Sequence, residues 1–358
     1  MINHRGPEYM ALQRELIAGL KQAFRTQGDV QIFPASGTGG LEAAVVNTLS
    51  PGDRVVAVPT GAFGQRFAEI AEAYGADVRR LEVEWGRAAT PEAVAGVLRE
   101  EPKARAVLLT HNETSTGVLH DLPAIVRAAR QVRPELLILV DSISGMLAAD
   151  LRTDEWDLDV VVGGSQKAWM IPPGLTFVSI SARAWAAHRE ARMPRFYFDF
   201  TRMRKSMESD QTPYTPALPQ LFGLQVALGK ILEEGLEGSV KRHARLGAAT
   251  RAAVRAMGLD LFAEEGRYSN SLTAVVVPDG IEAKALRSRM RDGRGVVIAG
   301  GQGPIKERII RIGHLGYVDE NDVLATVGAL ERTLRELGHD VSLGQGVTAA
   351  QRVFAERF

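Results

Sequence analysis

Short aliphatic runs, each closed by a glycine, a hydroxyl or an acid, recur along this chain between longer amphipathic stretches. That alternation leaves few folds open. Runs such as Ala106-Val-Leu-Leu-Thr110, Leu136-Leu-Ile-Leu-Val-Asp141 and Val160-Val-Val-Gly-Gly164 read as buried strands. Strands alternating with amphipathic helices are the pattern of an α/β sheet, mostly parallel, with helices on both faces. Leu12, Leu16, Leu20 and Phe24 mark one face of a helix over 8–27. The spacing then predicts strands over 30–34, 54–58, 77–83, 106–110 and 176–181, besides the runs ending at Asp141 and Val162. Helices are expected over 40–49, 64–74, 91–99 and 122–132.

Pro213, Pro216 and Pro219 predict irregular structure over 194–219, and a loop of that length in a compact domain is usually functional or covered by a partner. A long helix over 221–235 should carry on into 239–257. From about residue 259 the pattern becomes α+β, with strands over 272–277, 295–299 and 309–313 and helices over 282–291 and 320–337. The tail 341–358 carries little signal. The expected division is a large domain over 1–238 and a smaller one over 239–358.

Lys and Arg total 43 and so do Asp and Glu, so charge points to no nucleic-acid or membrane partner. No apolar run approaches the roughly 18 residues that span a bilayer, and no basic-apolar leader opens the chain. The expectation is a cytoplasmic protein. With no cysteine there is no disulfide, thiolate metal site or cysteine nucleophile. Seven histidines form no His-X-X-X-His pair, so no metal centre is expected.

The candidate chemistry gathers at strand ends. Lys167 stands just past Val160-Val-Val-Gly-Gly164 and before a Pro-Pro-Gly turn, where a desolvated amine becomes a nucleophile towards aldehydes. Asp141 closes the preceding strand, 26 residues upstream. A lysine and a carboxylate able to hold a pyridinium nitrogen protonated are the pair that pyridoxal 5'-phosphate (PLP) chemistry needs. Ala35-Ser-Gly-Thr-Gly-Gly-Leu-Glu42 opens a helix and reads either as an anion cradle or as a tight turn with a hydroxyl N-cap. Phe63, between Gly61 and Gly64, is placed either to stack on a flat ring or to fill the core. Thr110-His-Asn-Glu-Thr-Ser-Thr-Gly117 ends a further strand with hydroxyls. Ligands of open α/β sheets sit outside the carboxyl ends of strands, and four strand ends offer polar groups to one crevice. Arg311 interrupts an apolar strand, which suits either bidentate capture of a carboxylate or a structural salt bridge.

With these segments, the chain resembles the class V aminotransferases of PLP fold type I, nearest to the alanine–glyoxylate, serine–glyoxylate and serine–pyruvate branch. The matching segments include His4-Arg-Gly-Pro-Glu8, Gly61-Ala-Phe-Gly-Gln-Arg66, Val140-Asp-Ser-Ile-Ser144, Ser165-Gln-Lys167, Tyr214-Thr-Pro216 and Arg311-Ile-Gly-His-Leu-Gly316. The resemblance implies that Lys167 holds PLP covalently and later moves a proton at the substrate. It implies Asp141 on the ring nitrogen and Phe63 on the ring face, where many relatives carry tryptophan. Thr38, Gly39 and Gln166 would bind the phosphate, with Thr215 reaching in from the partner of a homodimer. Ser115 would lie near the ring hydroxyl, and Gly40 and Ile143 would complete the cofactor site. Arg311 would clamp the carboxylates of a small amino acid and a 2-oxo acid. Relatives carry a longer segment before His-Arg-Gly-Pro, reaching over the partner, whereas this chain starts at Met1-Ile-Asn-His4; an effect on activity and dimer strength is the expectation. A PLP lyase or decarboxylase on the same scaffold, and a catalytically impaired PLP-binding subunit, are the alternative readings.

Overall fold

The aliphatic runs pair into one seven-stranded sheet in the computed structural model, which describes residues 2–356. From the N-terminus, α1 (Pro7–Phe24) leads into β1 (Asp29–Phe33), α2 (Gly37–Thr48), β2 (Arg54–Ala57), α3 (Ala62–Ala73), β3 (Asp77–Arg80), α4 (Pro91–Glu100) and β4 (Ala106–Thr110). A small hairpin, β5 (Asn112–Glu113) and β6 (Val118–Leu119), precedes α5 (Leu122–Val132), β7 (Leu137–Asp141), β8 (Val160–Gly164) and β9 (Thr176–Ile180). The sheet order is β1-β9-β8-β7-β4-β2-β3. Strands from β8 to β3 run parallel, and β9 alone opposes its neighbours.

Both faces of this sheet are covered, which is why its strands are apolar at successive positions. Ile138 and Val140 of β7 pack with α1, α4, α5 and the later helix α8, while Leu137 and Leu139 pack with α2 and α3. In register, Thr110 lies beside Asp141 and Asp141 beside Val162, so β4, β7 and β8 end level and open one crevice.

The chain continues through α6 (Ala182–Glu190), α7 (Phe200–Met207), α8 (Leu218–Glu234), α9 (Leu236–Ala256), β10 (Leu272–Val276), α10 (Ala283–Arg294), β11 (Ala299–Gly300), β12 (Ile309–Gly313), α11 (Glu320–Glu336) and α12 (Gln345–Ala355). β10, β12 and β11 form an antiparallel sheet, and Val275, Ile310 and Ile312 pack with Leu246, Leu286, Val327 and Ala350 of the four last α-helices. Among the described residues no helix is long and apolar enough to cross a membrane.

Three expectations change. Residues 194–219 are not irregular throughout: α7 lies inside them, and Pro219 sits in the first turn of α8, where no N–H is needed. The long helix is two helices, because Gly235 between them has φ +79°. The strand expected over 295–299 shrinks to Ala299–Gly300, Gly295 instead ending α10 in a left-handed conformation.

Candidate active site

Lys167 lies on the tight turn that follows β8. The Lys167 N–H donates to the Gly164 carbonyl at 3.3 Å and its own carbonyl accepts from Met170 N–H at 3.1 Å. Ser165 locks this turn, its hydroxyl donating to Pro172 O at 2.8 Å and accepting from Leu175 N–H at 3.1 Å. Met170 is held at φ +60°, an uncommon conformation for a non-glycine residue. Burial lowers the pKa of the Lys167 amine below the usual lysine range, Arg311 lowers it further, and Asp141 opposes both.

Asp141 closes β7 and is 4% exposed. Its Oδ1 accepts from Ile143 N–H at 2.9 Å; no donor among the described residues reaches Oδ2. Burial pushes this carboxyl up to about 7, against the Ile143 hydrogen bond, and the nearby Glu113 carboxylate adds to the rise. A buried acid with one free oxygen suits a cationic N–H partner.

Ser36 caps α2 by backbone only, with no side-chain cap, and no acceptor among the described residues meets the N–H of Gly37 or Thr38. One cavity joins this helix end to Lys167 and Asp141, and Thr38, Phe63, Ile143 and Gln166 also line it. Free helix N–H groups, a free carboxylate oxygen, an aromatic wall and a desolvated amine on one cavity fit a planar, phosphorylated pyridine aldehyde.

Gly39 and Gly40 face elsewhere. A Cβ on Gly40 would lie 2.2 Å from Thr176 Oγ1 and 2.6 Å from Val162 Cγ1, and one on Gly39 2.8 Å from Ala35 Cβ. Gly40 thus seats α2 on β8 and β9 and Gly39 packs on Ala35, while the N–H groups of both donate to Ser36 O, at 3.4 and 2.9 Å. Ser115 also turns away: fully buried, it donates to Glu113 Oε1 at 2.6 Å and accepts from Ala62 N–H at 2.9 Å. Thr114, not Ser115, lines the cavity, because the β5–β6 hairpin reverses the chain there. Thr215 is exposed and lines a separate apolar pocket with Tyr9 and Tyr197.

Arg311 reaches across from β12. Its Nε donates to Gly300 O at 2.7 Å and its Nη1 to Thr114 O at 2.7 Å; it pairs with no carboxylate among the described residues. The two carbonyls orient the guanidinium and leave it without a carboxylate in direct contact. Burial lowers the pKa of this group from the usual arginine range and Glu113 opposes the shift.

A sequence model described as aminotransferase class-V matches residues 3–325. The chain belongs to that family. This class-V chain is 45% identical over 358 residues to the protein named soluble hydrogenase, small subunit, of Synechococcus sp., covering 99% of this chain and 92% of the other. It is 36% identical to the serine–glyoxylate aminotransferase of Methylorubrum extorquens over 363 residues, covering 99% and 90%. The crystal structure of ureidoglycine–glyoxylate aminotransferase from Bacillus subtilis superposes with a TM-score of 0.92 at 30% identity, covering 99% of this chain and 92% of that one. The mostly parallel sheet with its helices is the aminotransferase fold of these neighbours.

Sequence reasoning missed Glu113, Thr114 and Arg66, the last of which lines the cavity with its guanidinium 5.1 Å from the Phe63 ring centroid. All three lie in segments it singled out, but which side chain of a hairpin or first helical turn points inward is set by the backbone. Glu113 had one local signal: α3 starts at a glycine, which cannot cap it, so its N–H groups needed an acceptor from elsewhere.

Proposed function

We propose that this class-V chain is a PLP-dependent aminotransferase that moves the amino group of serine or alanine to glyoxylate or pyruvate by a ping-pong reaction. The observation that carries the reading is a desolvated amine, Lys167, sharing one cavity with a buried aspartate, Asp141, that keeps an oxygen free. PLP supplies an aldehyde that amines attach to and a ring that accepts the electron pair released at the substrate Cα.

The residues divide the remaining work. Lys167 Nζ, its pKa depressed, would hold that aldehyde, and the same Nζ would carry the proton at the substrate Cα. Asp141 Oδ2 would accept a ring N–H and hold that proton in place, the cation restoring the carboxylate form. Phe63 walls the ring. The free N–H groups of Gly37 and Thr38, with Gln166, take the phosphate, and the α2 dipole favours its charge. Thr114, which lines the cavity where Ser115 does not, would take the place expected of Ser115 beside the ring. Arg311 clamps the carboxylate of donor and acceptor alike, so one guanidinium serves both half-reactions. A second copy of the chain in a homodimer brings Thr215 to the phosphate.

Glyoxylate as acceptor is supported by two relatives whose names share it while their donors differ. The hydrogenase named in another relative is not carried over: without cysteine the chain has no thiolate to hold an electron-carrying iron–sulfur centre. The test is the visible spectrum of PLP-loaded protein. L-Serine or L-alanine alone should bleach the cofactor band and glyoxylate should restore it; a band indifferent to every amino acid rules out transamination.

A further inference from the structure

The helix that carries Phe63 has a glycine, Gly61, at its N-cap and no side-chain cap of its own. The cap comes from the β5–β6 hairpin. Glu113 Oε2 accepts from Phe63 N–H at 3.1 Å and Gly64 N–H at 2.9 Å, while Ser115 Oγ accepts from Ala62 N–H at 2.9 Å. The Ser115 hydroxyl and N–H both donate to Glu113 Oε1, at 2.6 and 3.0 Å. One buried carboxylate and one hydroxyl thus satisfy the first three N–H groups of α3. Gly61 makes the room: a Cβ there would stand 2.3 Å from Ser115 Oγ and 2.6 Å from Glu113 Cδ. Between the two capping residues, the Thr114 carbonyl accepts from Arg311 Nη1 at 2.7 Å. The same short hairpin therefore holds the aromatic wall on one side and the guanidinium on the other.

We infer that Glu113 is a positioning residue: by capping α3 from the hairpin that also anchors Arg311, it sets the gap between the Phe63 ring and the carboxylate clamp. The inference rests on the PLP reading above and adds to it a residue that touches neither cofactor nor substrate. The carboxylate has four donors on two acceptor oxygens, which is how its burial is tolerated. Glu113→Gln keeps the size but turns one acceptor into a donor facing N–H groups, so the first turn of α3 must move. Gly61→Ala moves it by bulk alone, leaving the charge intact; the φ of 174° at Gly61 is open to alanine. Glu331→Gln is the matched control. Glu331, also buried, accepts from Gly344 N–H at 2.9 Å, Val347 N–H at 3.2 Å and Gly346 N–H at the start of α12, whose residues do not line the cavity.

The experiment titrates the full chain with PLP and measures the dissociation constant, the KM of L-serine and of glyoxylate, and the thermal midpoint. Glu113→Gln and Gly61→Ala should each raise the PLP dissociation constant and both KM values roughly tenfold, the scale of one or two lost hydrogen bonds. Glu331→Gln should lower the midpoint and leave all three constants unchanged. Unchanged constants in both site variants, or equal losses in the control, overturn the inference. Should either site variant fail to fold, Ser115→Ala removes one donor and carries the same test with a smaller shift. Wild-type protein that binds no PLP overturns the function beneath the inference, whereas wild-type binding with unaffected variants overturns the inference alone.

Discussion

Lys167 and Arg311 are cations withdrawn from solvent, and each meets the cost of burial in its own way. The lysine amine can give up its proton, and burial lowers its pKa accordingly. The guanidinium cannot, so it is held by the Gly300 and Thr114 carbonyls with its charge retained for an incoming anion. Lys167→Ala should abolish the amino-acid-driven spectral change and leave the far-ultraviolet circular dichroism of the fold unaltered; turnover equal to wild type would refute the assigned role. Arg311→Lys should raise KM for donor and acceptor together, roughly ten- to hundredfold for loss of a bidentate ion pair, with a smaller change in kcat. Steady-state kinetics on both substrates decides it, and an effect on one substrate only breaks the shared clamp. Both residues were legible in the sequence, Arg311 as a charge inside an aliphatic run and Lys167 as one just past the end of such a run. Ser115 and Thr114 were not distinguishable there, since two adjacent hydroxyls on a hairpin differ only in the direction the backbone gives them.

At the scale of elements, α2 shows how packing and binding share one segment. Its glycines divide the labour: the N–H of Gly37 stays free at the cavity, while Gly40 brings the helix against β8 and β9. Gly40→Ala would place a methyl within 2.2 Å of Thr176 Oγ1, beside Val162, so the helix must lift from the sheet. The expected cost is about 1–3 kcal/mol of stability, the usual range for overpacking a core, measured as a lower denaturant midpoint. An unchanged midpoint would mean that α2 is not seated by this contact. Helix existence was readable from periodicity, and a helix start from proline, as at Pro91, whereas the break at Gly235 was not. Where the pattern misled, at Pro219 and over 295–299, a proline tolerated in a first turn and a glycine ending a helix had each been taken for the wrong punctuation.

Over the whole molecule, burial lowers the pKa of five histidines, four of them strongly. Burial lowers His111 and His314 to about 3 and His120 and His243 to about 4, with His243 accepting from Gly316 N–H on Nε2 and donating from Nδ1 to Ser239 O. Their pKa values in the unfolded chain lie near 6.5, so below that pH the unfolded state binds more protons and stability falls as pH drops towards the folded values. The loss is about 2 kcal/mol per histidine at pH 5. Asp141 and Glu113 run the opposite way, their raised carboxyls taking up a proton more readily folded than unfolded, and they offset part of it. Urea midpoints should therefore decline from pH 7 to pH 5; a flat or rising profile would show the histidines to be solvated. By itself the sequence determined the class of fold and the strand ends that carry chemistry, because buried strands demand continuous apolar runs and an interruption in one is conspicuous. Only the tertiary structure decided which glycines pack and which face the cavity, that Thr114 rather than Ser115 lines it, and that Glu113 caps α3 from another segment. Those choices depend on side-chain direction and on partners about fifty residues apart in the chain, and neither leaves a periodic trace in the residues themselves.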